Sequence, residues 1–241
     1  NAEATITAVE RGVNFIKNRQ CSAICTMPIS KSILKEGANF YFPGHTEYLA
    51  HLDGRNSYGM MLVNKYLRVV PATIHIPIKD ITKYLNAELI EKTIKTTHQE
   101  LTNRFSISNP NIWISGLNPH AGEAGMIGDE EKKFIIPVIR KLESKGYNLT
   151  GPISADTMFY RKKRLKFDAA ICMYHDQALI PIKTLDFHSS VNLTIGLSFI
   201  RTSPDHGTAF DISGKNLANP TSTIEAIKLA WKLAEKEKKD R

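Results

Sequence analysis

Three histidines lie in three separate segments of this chain: His75 in ATIHIP, His120 in GLNPHAGEAGMIGDEE and His175 in MYHDQALIPIK. Each follows an apolar, strand-like run at the point where a turn begins. In an α/β sheet that is where ligands collect. Neutral imidazole is a common metal ligand, and three of them on one catalytic ion leave a coordination position open for a substrate oxygen. The wide spacing is not the local H-x-x-x-H pattern, and a lone histidine at a strand end is more often structural. Gly44-His45-Thr46-Glu47 opens a helix whose first amides, with the Thr46 hydroxyl and His45, suit an anion such as phosphate. A simple helix cap accounts for the same residues. Lys183, Asn192 and Arg201 are the residue types that recognise carboxylate or phosphate. Asp156 in SADTMF is either a cap or a contact for a substrate amine, and Asp176 beside His175 is either a cap, a group that orients a ligand or a contact for that amine. Asn118 to Gly128 is a glycine-rich turn before a helix, yet it is neither a dinucleotide fingerprint nor a P-loop. His206-Gly207-Thr208-Ala209, with Asp211, Gly214 and Asn219, forms a polar loop too long for a simple turn, of the kind that often binds ligands.

The elements that must position these residues alternate between strand and helix. Helices are expected over 5–17, 28–35, 44–51, 79–85, 87–103, 129–144 and 221–237. In the second, Pro28 sits in the first turn and Gly37 ends it; Ser222 and Thr223 are the expected caps of the last. Strands are expected over 22–26, 58–63, 67–74, 111–116, 168–173, 191–195 and 198–201. The class is therefore α/β. No repeat, low-complexity linker or heptad run is present. No apolar stretch is long enough to cross a membrane, and the first residues do not read as a secretory signal. The chain starts at Asn1 without a clear helix start, as a piece of a longer protein would.

The 241 residues carry a net charge of +8, which suits nucleic-acid binding or attraction of anionic substrates. Much of the excess sits in Arg161-Lys162-Lys163-Arg164 and in 232–241, which read as solvated helix ends with no interleaved aromatic residues for base stacking. Cys21, Cys25 and Cys172 form no disulfide framework, and a reducing cytoplasm is the expected compartment.

Taken together, GHTEYLA, GLNPHAGEAGMIGDEE, GPISADTMF, MYHDQALIPIK, VNLTIGL and RTSPDHGTAFDISGK resemble, in one order across nearly the whole chain, the 4-hydroxythreonine-4-phosphate dehydrogenase family of pyridoxal phosphate biosynthesis. HGTAFDISGKNLANP also resembles the adenine-side loop of isopropylmalate and isocitrate dehydrogenases, whose two-domain α/β fold that family shares. The resemblance implies a first, cofactor-side domain from 1–36 and 208–241 and a second domain over 37–207. It implies a cytoplasmic homodimer with an active site between domains and near the subunit interface, and neither nucleic acid nor membrane as a partner. His75, His120 and His175 would hold a divalent metal, Zn or else Co or Mg, shared between two subunits. His45, Thr46, Asp156, Lys183, Asn192 and Arg201 would contact substrate. His206, Gly207, Thr208, Ala209, Asp211 and Asn219 would bind NAD or NADP. The implied reaction oxidises the C3 hydroxyl of 4-phosphooxy-L-threonine, giving a β-keto acid that decarboxylates to 3-amino-2-oxopropyl phosphate. No residue stands out as general base. The family's opening Gly-Asp-Pro-Ala-Gly-Ile-Gly-Pro-Glu segment is not matched, so the first domain is expected to be truncated. Ala178 and Ser198 replace the more usual glycine and proline. The alternatives are a sister dehydrogenase of another phosphorylated hydroxy acid or of a dihydrodiol, a nucleic-acid-binding fragment without activity, and a zinc hydrolase, against which the NAD-type loop argues.

Overall fold

The computed structural model describes residues 1–239; residues 240 and 241 of the basic C-terminal stretch lie outside it. In chain order the elements are α1 (Ala2–Lys17), β1 (Ala23–Cys25), α2 (Lys31–Ala38), α3 (His45–Asp53), β2 (Gly59–Val63), β3 (Arg68–Pro71), α4 (Ile81–Tyr84) and α5 (Ala87–Asn103). These are followed by β4 (Ile112–Ser115), α6 (Ile136–Glu143), β5 (Leu149–Ile153), α7 (Arg161–Arg164), β6 (Ala169–Cys172), α8 (His175–Leu185), β7 (Val191–Ile195), β8 (Ile200–Pro204) and α9 (Thr221–Lys239). The mixed α/β class expected from the sequence is the one observed.

The chain forms two compact units, residues 1–60 with 188–241 and residues 61–187. Segments 37–60 and 188–207 thus pack with the first unit, because their apolar residues complete its core. Phe40, Tyr48, Leu49, Leu197 and Phe199 cluster with Val9 and Val13 of α1 and Leu34 of α2. In this unit β1 runs parallel to β8, and β8 antiparallel to β7. The α9 helix is anchored where the Thr202 hydroxyl donates to the Ala226 carbonyl at 2.8 Å.

The second unit orders its strands β2-β3-β6-β4-β5. The β2–β3 pair is antiparallel, while β3–β6, β6–β4 and β4–β5 are parallel. Parallel strands must be covered on their faces, and α5 supplies one cover. Its Ile90, Ile94 and Leu101 follow helical spacing and are 0% exposed; truncating one to alanine would cost about 2–5 kcal/mol.

Several local expectations give way to tertiary demands. The α2 helix starts at Lys31 rather than Pro28 and runs past Gly37 to a left-handed cap at Asn39 (φ 51°). Gly37 serves close packing instead: a Cβ there would lie 2.7 Å from the Ala2 Cβ. Ser222 does not cap α9 but donates to the Ser190 carbonyl at 3.0 Å and accepts the Asp205 amide. The helix expected over 129–144 begins as a π turn, Glu131–Ile135, before α6. β5 and α8 go unannounced in the sequence. Pro152 lies in β5 and Pro181 inside α8; β5 tolerates its proline at the end of the strand order, where one side needs no ladder donor. The α7 cluster does have aromatic neighbours, but Lys163 and Arg164 lie over the Tyr160 and Tyr66 rings (5.8 and 5.5 Å) and cover those faces themselves.

Candidate active site

The second unit delivers its polar residues from adjacent strand ends. Parallel pairing of β3, β6, β4 and β5 points all four carboxyl ends the same way, and these lead to His75, His175, His120 and Asp156 in turn. Beyond β3 and β6 the chains stay zipped. The Ala72 amide donates to the Cys172 carbonyl at 2.7 Å, and the Thr73 amide and hydroxyl both donate to the Met173 carbonyl (3.3 and 2.7 Å). His75 follows at a left-handed φ of 54°, a conformation that costs a non-glycine residue free energy and clusters at functional sites. His175 is the first residue of α8. The two rings stand 5.7 Å apart between centroids, beside a cavity of about 160 Å³ walled by Ile74, Ile76, Ile78 and Tyr174.

That separation fits a shared cation. With metal–nitrogen bonds of about 2.0–2.1 Å, two imidazoles on a tetrahedral ion place their centroids about 5–5.5 Å apart. The His175 Nδ1 lies 2.7 Å from the Asp176 Oδ1. A proton on Nδ1 donates to that carboxylate and leaves Nε2 as the ligand atom, the usual orienting arrangement around a metal. The pair would supply two ligands to such an ion. Among the described residues no group of three His, Cys, Asp or Glu forms a cation site, and His120 stands apart from the pair. Its Nδ1 lies 3.6 Å from the Glu123 carboxylate.

His120 is carried by an unusual backbone. His120, Ala121, Gly122, Glu123, Ala124 and Gly125 all have positive φ, from 41° to 90°. For the non-glycine residues that conformation costs about 1–2 kcal/mol each, so the surrounding contacts must impose it. Gln177 of α8 ties the exits of β4 and β6: its Oε1 accepts the Ser115 hydroxyl and the Met173 amide, both at 2.7 Å, and its Nε2 donates to the Gly116 carbonyl at 2.9 Å. Past β5, the Ser154 hydroxyl donates to the Asp156 carboxylate. That bond, with the Thr157 amide and nearby His120, holds Asp156 below the usual carboxylate range. Asp156 and Asp176 both line a cavity of about 450 Å³ with Phe159 and Tyr174. Lys183 lies in the last turn of α8 with its Nζ 5.3 Å from the Phe187 ring centroid.

In the first unit the dominant feature is a buried guanidinium. Arg201 on β8 is 3% exposed. Its Nε and Nη2 donate to the Thr26 hydroxyl (3.0 and 2.8 Å), its Nη1 to the Thr194 hydroxyl (2.9 Å), and its Nη2 lies 3.3 Å from the His45 Nδ1. All of these partners are neutral. Burial therefore lowers Arg201 to about 10, with only partial relief from neighbouring Cys25 and Glu47. Burial, and then Arg201, push His45 down to about 3, so its ring is neutral. With Nδ1 turned to Arg201, its Nε2–H is a donor, and Nε2 is buried without a partner. The Asn192 Oδ1 on β7 is likewise buried and unpartnered. Unsatisfied buried polar groups beside an incompletely compensated charge mark a place prepared for a polar ligand. Thr46 follows His45 in the first turn of α3 and is partly buried. A cavity of about 710 Å³ borders Thr26 and His45 on the α1 side.

Residues 206–219 are exposed apart from Ile212. The His206 Nδ1 lies 2.8 Å from the Gly207 carbonyl, Ala209 has φ 47°, and Asp211 sits in a 3-10 turn, Phe210–Ile212. Asn219 accepts the Thr221 amide at 3.0 Å and so starts α9. The predicted substrate contacts divide: His45, Thr46, Asn192 and Arg201 belong to the first unit, Asp156 and Lys183 to the second. Sequence reasoning did not find Thr26, Thr194, Gln177 or Glu131. A threonine in a strand signals only β propensity, and the partners here lie up to 175 positions away.

Imidazoles delivered at parallel strand ends, and a buried guanidinium beside a helix start, are the equipment of an α/β enzyme acting on a small anion. The chain belongs to the family of pyridoxal phosphate biosynthetic protein PdxA, whose model matches residues 1–230. It is 52% identical over 234 residues to the 4-hydroxythreonine-4-phosphate dehydrogenase of Ruegeria sp. (strain TM1040), covering 97% of this chain and 72% of that protein. The crystal structure of the Klebsiella pneumoniae 4-hydroxythreonine-4-phosphate dehydrogenase matches with TM-score 0.89 at 38% identity, over 97% of this chain and 71% of that one. The terephthalate 1,2-cis-dihydrodiol dehydrogenase of Burkholderia xenovorans LB400 matches with TM-score 0.73 at 30% identity, over 95% and 72%. These neighbours are in keeping with the isocitrate/isopropylmalate dehydrogenase-like fold that the motifs imply. Of the two departures from the family motifs, Ala178 is fully buried, and Ser198 donates its amide to the Asp53 carboxylate at 2.6 Å, a bond proline could not make.

Proposed function

We propose that the protein oxidises the C3 hydroxyl of 4-phosphooxy-L-threonine with NAD, yielding a β-keto acid that loses carbon dioxide to give 3-amino-2-oxopropyl phosphate. Family membership carries the dehydrogenase activity and its place in pyridoxal phosphate biosynthesis. The observation that carries an anionic substrate is Arg201, charged, buried and bonded only to neutral groups. A substrate phosphate or carboxylate would supply the missing counter-charge, the His45 Nε2–H would donate to it, and the Asn192 Oδ1 would accept from a substrate hydroxyl or amine. Thr46 adds a hydroxyl and a helix-start amide. Asp156, held ionised, suits the substrate ammonium, and Lys183 a second anionic group.

His75 and His175 would hold a divalent cation, Zn or else Co or Mg, with Asp176 fixing the His175 tautomer. When bound, such an ion lowers the pKa of a substrate hydroxyl and steadies negative charge on oxygen. The three imidazoles would be shared between two copies in a homodimer, in keeping with the distance of His120 from the His75–His175 pair. The segment His206, Gly207, Thr208, Ala209, Asp211 and Asn219 would bind NAD; its exposed backbone and polar side chains suit a dinucleotide.

The dihydrodiol dehydrogenase neighbour keeps a second substrate class in view. The test compares turnover of 4-phosphooxy-L-threonine, its dephosphorylated analogue and a cyclic cis-dihydrodiol by the full-length protein. Preference for the phosphorylated compound by orders of magnitude in kcat/KM is expected. Equal turnover with the dephosphorylated analogue, or better turnover of the diol, would exclude this assignment.

A further inference from the structure

We infer that Glu131 is a positioning residue that shapes the loop carrying His120 and thereby aims its imidazole. The inference rests on the ion-binding reading of His120. Glu131 opens the π turn before α6 and is 2% exposed. Its Oε1 accepts the backbone amides of Leu117 and Asn118, both at 2.8 Å, and its Oε2 accepts the Asn118 Nδ2 at 3.0 Å. A buried carboxylate is tolerated only when hydrogen-bonded, and bonds from amides to an ionised acceptor are strong and directional. They grip the loop at its entry, just before His120. The grip extends into the run itself. Gly122 (φ +78°) packs so closely that a Cβ there would lie 2.5 Å from the Glu131 Oε2. Asn118 also reaches the Glu130 carboxylate at 2.7 Å, and the Ile127 amide closes back on the Gly122 carbonyl at 3.1 Å.

One carboxylate therefore holds the entry to the left-handed run that begins at His120 and packs against its third residue, Gly122. Since that run is unfavourable locally, removing the grip should let it relax toward ordinary φ and swing the imidazole away. The π turn has a matching purpose: π turns recur at functional sites, and this one places Glu131 inward, under the loop. Glutamine at this position keeps the shape but opposes its Nε2 donor to the Asn118 Nδ2 donor.

The test uses the full-length enzyme with Co²⁺ as the probe, in Glu131→Gln, Gly122→Ala and His120→Ala. Co²⁺ affinity is read by titrating its visible absorption, loop order by amide exchange at Leu117 and Asn118, and folding by thermal melts. Glu131→Gln is expected to keep a cooperative melt, to exchange both amides faster, and to weaken Co²⁺ by about 10- to 100-fold, the usual cost of losing an outer-shell support. Gly122→Ala, which pushes on the carboxylate from the loop side while leaving Glu131 in place, should likewise weaken Co²⁺; it decides the matter if Glu131→Gln does not fold. Wild-type Co²⁺ affinity in folded Glu131→Gln or Gly122→Ala, alongside a loss in His120→Ala, overturns the positioning inference alone. Wild-type affinity in His120→Ala overturns the ion reading beneath it, whatever the other two variants do.

Discussion

Replacing Arg201 by methionine separates binding from folding. The guanidinium has five N–H groups, and the contacts to Thr26, Thr194 and His45 engage four of them. One N–H on Nη1 and the full positive charge remain for a ligand. A charge-assisted hydrogen bond is worth about 1.5–3 kcal/mol, so Arg201→Met should weaken the phosphorylated substrate by roughly 10- to 100-fold. Without ligand the variant should be somewhat less stable than wild type, yet still fold cooperatively. Burial that lowers Arg201 from 12.5 to about 10 amounts to roughly 3 kcal/mol against the charged form. Relief of that cost offsets part of the three hydroxyl hydrogen bonds lost, each worth about 1.5–3 kcal/mol to a charged group, and the contact to His45 is lost with them. The assay is denaturant melting with and without substrate. At a concentration of about 100 Kd, substrate should stabilise the wild type by about 2.7 kcal/mol and the variant by only about 0.4–1.4 kcal/mol. Arg201→Lys should recover part of the affinity, since lysine lacks the planar fork. Equal stabilisation of wild type and Arg201→Met by substrate would refute the reasoning.

Further outcomes follow from the same geometry. His45 is held neutral down to about pH 3 in the fold but binds a proton near 6.5 when unfolded. Between these values the unfolded state binds more protons, so stability should fall with falling pH by up to about 1.4 kcal/mol per unit and be flat above about 6.5. Urea melts at pH 5 and 7 should show a smaller difference in His45→Gln than in wild type; identical differences would count against a neutral His45. Asp211→Ala should raise the Kd for NAD while leaving ion affinity unaltered, and unchanged NAD binding in calorimetry would remove that residue from the cofactor site. Sedimentation of the full-length protein should give two chains per particle, and a fully active monomer would contradict a shared ion site.

The sequence announced elements wherever periodicity and composition agree. The α5 helix is expected and found over 87–103, where its apolar residues keep helical spacing; the structure adds the Asn86 side chain as its cap. It hid elements whose local signals conflict with their place in the fold. Pro181 argues against α8, yet Gln177 fastens that helix to two strand ends. The same division runs through the site. His75, His120 and His175 stand out by their motifs, and parallel pairing does bring their strands side by side. The grip of Glu131 on a loop of positive φ has no sequence signature, because any helix start can carry a glutamate. Nor can sequence distinguish Arg201 from a surface arginine; only burial among threonine hydroxyls reveals a charge awaiting a counter-ion.

The most direct measurement is NADH formation, followed at 340 nm, from 4-phosphooxy-L-threonine and NAD by the full-length protein, before and after removal of divalent metal by a chelator. NADH should appear with the untreated protein, vanish after chelation and return when the metal is restored. No NADH from this substrate would contradict the assigned reaction, and NADH formation indifferent to complete metal removal would contradict the ion at His75 and His175.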